Sequence, residues 1–506
     1  MRSTLTLLFQ TFFLLIFIIQ FNGCYTQSKS RDSKNIMSIL SLKLVIDAQN
    51  SGCNGGFWVR NLLSSTQASY CVNAKLVSST TNMDLYLDNN LTTNLNYSNI
   101  TNAFETNIFP IERDAYGSPS DINGDKKVTV LILDIKDGSS ANTGFIAGYV
   151  DPINFYIDSP GSGLRSNQRE ILFMDGVELV ALRDRDLANG KPDTFLSTLA
   201  HEFQHLIRFQ YSRGTDDTWI DEGTSEVTSD LTGYGPQSAR FSCFKGDANS
   251  SSACLGGIGS TSLGSPSLFN WSGTLKNYAY AYTFMKYIYE SSGSNSTSRN
   301  TFFRQTVQGN NGVRGNTAYN LISLFMGSSN FNANVLNSDN KTTFKMLMAS
   351  FLGQAVGYSN LNNVYFGNTT PVNIDSVRTT YPFSSTLTLL SSPNPFSGIN
   401  TSSFNLSPSQ VSRVIKSTTG VTSNSSDIVI VSNGSSGANT EFVIFNGDNV
   451  GSRTATTSAT ASTLELISYP ELDLKDTDGI ICPNSHFSKL NEIDQKRLDL
   501  KLYQKK

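Results

Sequence analysis

The stretch "DTFLSTLAHEFQHLIRFQY", residues 193 to 211, constrains the fold more than any other part of the chain. Phe195, Leu196, Leu199, Phe203, Leu206 and Ile207 recur at helical spacing. Asp193 or Thr194 supplies an N-cap, and Gly214 is expected to end the helix. A helix this apolar must be buried, yet it carries His201, Glu202 and His205. The chain has only three histidines, and two of them lie here, four apart and on one face.

That pattern, HExxH, suits a zinc ion. Neutral imidazoles are good zinc ligands, and His201 and His205 present them one turn apart. Glu202 beside the first ligand is placed to take a proton from a zinc-bound water, whose pKa the metal lowers. The competing reading is an ordinary helix with two structural histidines. A catalytic zinc needs a third protein ligand and an open position. The remaining histidine, His486, lies far downstream, and nothing in its surroundings recommends it. "TWIDEGTSEVTSD" offers Glu222 and Glu226 instead, one helical turn apart. Sixteen residues separate His205 from Glu222, enough to close one helix, turn and begin another.

The rest of the chain reads as α+β. Short strands and turns are expected over residues 40 to 100, with alternation clearest in "MDLYLD", where Met83, Leu85 and Leu87 share a face. "VTVLILDI" and "REILFMDG" are apolar runs suited to buried strands. Further helices are expected from about Thr218 to Leu231, over 275 to 290 and over 343 to 356. After about residue 366 Ser and Thr dominate, with apolar pulses such as "DIVIVSN" and "EFVIFNG", the signature of a small all-β domain.

HExxH followed by a helix bearing a glutamate resembles the gluzincin metallopeptidases. "WIDEG" is similar to their "W-x-N-E-G" element and "DEGTSE" to the thermolysin-type "N-E-x-x-S-D" element. The resemblance implies Glu222 as third zinc ligand and Glu226 as a carboxylate orienting a ligand histidine, His201. Asp221 stands where the pattern has Asn. Together "DINGDKKVTVLILDI", "GFIAGYVDP", "SNQREILFMD", "HEFQHLIRF" and "WIDEGTSE" resemble the hyicolysin-type neutral metallopeptidases, over roughly residues 70 to 290. The fold implied is a zincin-like catalytic domain, with a mixed sheet, the HExxH helix and a helical lower part. Gluzincins often stabilise the oxyanion with a Tyr or His from a later helix. "NYAYAYTFMKYIYE" resembles that helix, with Tyr278 first, so Tyr278 is the candidate; an aromatic core stripe is the other reading.

The net charge of -3 gives no electrostatic case for nucleic acid. Arg2 and the apolar run of residues 5 to 19 have the layout of a signal peptide, too short for a membrane span. Gly23 before Cys24 resembles a bacterial lipobox, which implies diacylation of Cys24 and membrane attachment through lipid rather than a transmembrane helix. Plain secretion is the alternative. The expected organisation is a signal peptide over 1–23, a lipidated tether or short pro-segment over 24–50 and a metallopeptidase domain over 51–365. A β domain over 366–485 and a charged tail over 486–506 follow.

Export permits disulfides. Cys53 with Cys71 and Cys243 with Cys254 are the economical pairs, each closing a short loop and leaving Cys482 over. In "DINGD", Asp121, Asn123 and Asp125 alternate like the start of a calcium loop. The glycine and glutamate that an EF-hand needs later are replaced by Lys126 and Ile132. A turn leading into a strand is the favoured reading, and a calcium ion the alternative.

The expectation is therefore an exported endopeptidase with one catalytic zinc, acting on protein or peptide substrates. Two rivals stand beside it. One is an adhesin-like surface lipoprotein with a structural zinc, which leaves Glu202 without a purpose. The other is a zinc aminopeptidase, for which no "GxMEN"-like element precedes His201.

Overall fold

A computed structural model describes residues 52–139, 144–159, 163–245, 252–254 and 271–326, with isolated positions and short strands elsewhere. The signal peptide, Cys24, the tether, Cys482, His486 and the charged tail lie outside the described residues, as does most of the helix expected over 343 to 356.

The described part is mixed α+β. Its sheet contains β1 (Gly56–Arg60), β2 (Ser69–Ser79), β3 (Met83–Asp88), β4 (Val128–Leu133), β6 (Gly148–Tyr149) and β7 (Ile171–Asp175), while β5 is Phe145–Ile146. The strand order is β1-β2-β3-β4-β7-β6. β3, β4 and β7 run parallel, and β1, β2 and the edge strand β6 join antiparallel. All six residues of β4 are buried, as its continuous apolar run requires of a strand covered on both faces.

Alternation divides the strands between two cores. Met83, Leu85, Leu87, Val128, Val130, Ile132, Leu172 and Met174 face the helices. Leu131, Leu133, Ile171 and Phe173 face a smaller cluster with Phe57, Val59 and Tyr149. The disulfide Cys53–Cys71 ties the start of β1 to β2.

The helices are α1 (Tyr97–Ala103), α2 (Phe109–Ala115), α3 (Glu178–Ala188), α4 (Thr194–Ser212), α5 (Thr218–Thr232), α6 (Ser238–Lys245), α7 (Leu275–Ser291), α8 (Ser296–Gln308) and α9 (Ala318–Met326). α1 and α2 are joined by a π-helical turn, Phe104–Ile108. α1 closes a stretch read from the sequence as strands and turns only. Ile100, Phe104 and Ile108 nonetheless recur every fourth residue through α1 and the turn, and all three are buried.

α4 begins where Asp193 accepts the N–H of Leu196 at 3.1 Å. It ends one residue before the expected stop, because Arg213 itself turns left-handed (φ 50°) and donates its N–H to the Phe209 carbonyl. α5 lies against both α4 and α7. Gly223 lets α5 approach α7 closely: a Cβ there would stand 2.9 Å from the Ala281 carbonyl oxygen.

Beyond α9, Val364–Phe366, Ile428–Ser432, Thr440–Asn446, Val411–Lys416 and Gly398–Ile399 pair in that order as a five-stranded sheet. Among the described residues no helix is long and apolar enough to cross a membrane.

Candidate metal centre

α4 and α5 together build the site. Both are amphipathic, and their packing turns the polar residues of each toward the other. His201, Glu202 and His205 on α4, and Glu222 and Glu226 on α5, are all at most 4 % exposed.

The two imidazoles converge. His201 Nε2 and His205 Nε2 face one another at 3.0 Å. Glu222 Oε2 lies 3.4 Å from the first and 3.5 Å from the second. For ligands about 2.0–2.1 Å from a tetrahedral zinc, neighbouring donor atoms fall roughly 3.3 Å apart, so the triangle has the right size. The chemistry of the three groups agrees. Neither oxygen of the buried Glu222 carboxylate meets a hydrogen-bond donor in bonding geometry. Such a charged group is costly to bury unless something satisfies it. Two ring nitrogens and a bare carboxylate pointed at one spot fit a divalent cation.

The electrostatics couple the imidazoles to the carboxylates around them. Burial works to raise the Glu222 carboxyl, but the facing imidazoles, His205 first, outweigh it and hold it down at about 2. Burial likewise works to lower His205, yet the carboxylates of Asp221 and Glu222 hold it well above the usual histidine range.

Behind the triangle stand further carboxylates. His205 Nδ1 lies 3.0 Å from Asp221 Oδ1 and 3.2 Å from Ser225 Oγ. Asp221, the departure from the Asn of the resembled motif, thus faces a histidine, and its place beside Glu222 was the only signal for it in the sequence. His201 Nδ1 faces Glu226 Oε1 at 3.9 Å, beyond hydrogen-bonding distance. Sequence reading found nothing to single out Arg208 or Arg240, which pair with carboxylates around the site.

Glu202 points from α4 toward the edge strand. A Cβ added to Gly148 on β6 would lie only 3.0 Å from its Cγ, so the glycine leaves room for the Glu202 side chain. Tyr278 on α7 is buried, with its ring edge-on to Trp271 at 5.0 Å and under the Arg240 guanidinium at 5.2 Å. Tyr282, on the same helix face, is otherwise engaged: its hydroxyl donates to Asp230 at 3.0 Å and accepts the Gln237 N–H.

Two other expected features supply no donor atom to this triangle. In "DINGD" the side chains serve the turn itself. Asp121 Oδ1 accepts the Lys126 N–H at 3.0 Å, and Asp125 Oδ1 accepts that of Lys127 at 2.8 Å. The disulfide Cys243–Cys254 closes on α6. A further group of carboxylates, Asp134, Asp175 and Glu178, gathers at the ends of β4 and β7 and the start of α3. Asp175 there accepts the N–H groups of Val177 and Leu179.

No family model matches the chain. It is 29 % identical over 245 residues to "Neutral metalloprotease ShpI" of Staphylococcus hyicus, covering 46 % of this chain and 50 % of that protein. The chain therefore spans about half the length of this curated relative. The similarity supports a metallopeptidase family.

Proposed function

We propose that the chain is an exported, zinc-dependent endopeptidase of the hyicolysin type. The observation that carries this reading is the triangle of His201, His205 and Glu222 donor atoms, 3.0 to 3.5 Å on a side, with Glu202 next to the first histidine on the same helix. His201, His205 and Glu222 are the residues that would hold the metal. A zinc ion held there would supply Lewis-acid chemistry, polarising a peptide carbonyl and making water more acidic.

The protein residues supply the remainder. The Glu202 carboxylate takes the proton of the attacking water and delivers it to the leaving amine. Its burial beside β6 keeps bulk water from competing for that proton. Tyr278 is assigned to the oxyanion, and Asp221 and Glu226 orient the two imidazoles. The relative's printed name, a neutral metalloprotease, supports protein or peptide substrates. The signal-like N-terminus supports export, with attachment through Cys24 as part of the same proposal.

The test is metal content and casein cleavage of the purified protein beside its Glu202→Gln variant. One zinc in both, with cleavage lost only in the variant, is the expected result. Zinc in both with no cleavage by either, across a broad set of proteins and peptides, would favour a binding protein with a structural metal. Absence of zinc from both would refute the site.

A further inference from the structure

The two histidines are backed unequally. Asp221 reaches His205 directly at 3.0 Å, whereas Glu226 stands 3.9 Å from His201. A carboxylate at that separation orients an imidazole only if it is itself held in place, since a small rotation about its side chain would point it elsewhere. The structure holds it firmly. Arg240 forks onto Glu226, with Nη2 donating to Oε1 at 2.8 Å and Nε to Oε2 at 3.1 Å. Gln237 Nε2 adds bonds to Oε2 at 2.5 Å and to the Glu226 carbonyl at 2.9 Å.

The corresponding arginine on the other side behaves differently. Arg208 Nε lies 3.7 Å from Asp221 and spends its bonds on Asp216, Thr224 and the Gly315 carbonyl. Among the described residues, only the histidine with the distant carboxylate has a bidentate guanidinium behind that carboxylate.

The source of Arg240 is also informative. α6 brings it in, and α6 is packed on α7 through Phe241 against Tyr282 and Phe244 against Tyr280. Cys243, one turn past Arg240, ties the helix to Cys254. The ring of Tyr278 lies under the guanidinium. A buried arginine, 5 % exposed, is thus seated by four contacts, three made by its helix and one by its own guanidinium, before it meets a carboxylate that is 1 % exposed. Neither charge would be tolerated there alone.

We propose that Arg240 is a positioning residue of the metal centre, acting through Glu226 to fix the orientation of His201. This rests on the zinc reading above. The fork holds the Glu226 carboxylate in one plane with Oε1 3.9 Å from His201 Nδ1, a fixed negative charge that favours the proton on Nδ1 and leaves Nε2 as the lone-pair donor.

Zinc affinity, measured by competition with a chromophoric chelator, tests this without reference to activity. Arg240→Met is expected to weaken zinc binding about tenfold, the lower end of the range for groups that support metal ligands. The visible absorption of the cobalt-substituted protein should shift or broaden with it. Arg240→Lys, which keeps the charge without the fork, should recover part of the affinity. In a Glu226→Gln background, Arg240→Met should add less than about twofold, because the two residues act in series.

Wild-type affinity and an unchanged cobalt spectrum in folded Arg240→Met would overturn the proposal. A full, additive effect in the Glu226→Gln background would overturn it too, because the arginine would then act independently of Glu226. If Arg240→Met does not fold, Arg240→Gln against Arg240→Lys decides: weaker zinc binding in the Gln variant supports the proposal, and equal affinity overturns it. A wild-type protein that binds no zinc would bring down the metal reading itself, and this inference with it.

Discussion

Gly148 offers a sharp test of how the fold aims the proposed general base. Its backbone is not left-handed, so any residue could adopt it and only space is at issue. A methyl there would stand 3.0 Å from Glu202 Cγ, 3.1 Å from the Phe173 carbonyl oxygen and 3.2 Å from Met174 Sδ. The carbonyl belongs to β7 and is fixed by the sheet, so the Glu202 and Met174 side chains must yield. Comfortable carbon–carbon contact begins at about 3.5 Å, which sets the displacement of Glu202 near half an ångström. A misplacement of about 1 Å in a reacting constellation costs on the order of a hundredfold. Half of that, on a logarithmic scale, predicts a loss of about tenfold in kcat for Gly148→Ala, or roughly 1.4 kcal/mol of barrier. None of the three nearest atoms belongs to His201, His205 or Glu222, so zinc content should stay at the wild-type level. Overpacking should lower stability by about 1–3 kcal/mol. Steady-state kinetics on a fluorogenic peptide, elemental analysis and a thermal melt read the three quantities separately. A kcat within twofold of wild type, alongside a lowered melting temperature, would refute the reasoning, because Glu202 would then not depend on the edge strand. Loss of zinc together with activity would refute it differently, by showing that β6 supports the ligands rather than the base.

Two further outcomes follow from the same structure. Gly223→Ala would press a methyl to 2.9 Å from the Ala281 carbonyl oxygen and 3.1 Å from Met285 Cβ, so α5 must move off α7 and carry the neighbouring Glu222 with it. Thermal denaturation should show a loss of about 1–3 kcal/mol and chelator competition a weaker zinc site, and unchanged values in both would show that the helix contact is soft. Burial, with the Glu178 carboxylate adding and backbone N–H groups opposing, raises Asp175 from an ordinary 3.8 to about 7. The folded state then holds a proton that the unfolded state releases. This contribution to stability is complete below about pH 4 and is lost as pH rises through about 7. Asp175→Asn should flatten the decline in melting temperature between those limits, and a wild-type profile with no such decline would contradict the shift.

Much of the candidate site was legible in the chain itself, because its parts are local. His201 and His205 share a helix face by virtue of a four-residue spacing, and the apolar residues around them require that helix to be buried. The buried strands β4 and β7 announce themselves by continuous apolar runs for the same reason. α3 and α8 escaped notice for different reasons: charged residues interrupt the apolar ones of α3, whereas α8 has few apolar residues in a segment rich in Ser, Thr and Asn and is held by packing against the core. What local spacing could not order was anything set by the approach of separate elements; only the family resemblance put Glu222 and Glu226 beside the histidines. That Glu222 meets both imidazoles, that Asp221 stands behind His205 and that Glu226 stands at a distance from His201 all depend on the packing of α4 against α5. Arg240 and Gly148 are plainer cases, an ordinary arginine and an ordinary glycine in the sequence. Each gains a role only when α6 or the edge strand is laid against the site, because hydrogen bonds and steric contacts act over a few ångströms of space and not over positions in the chain.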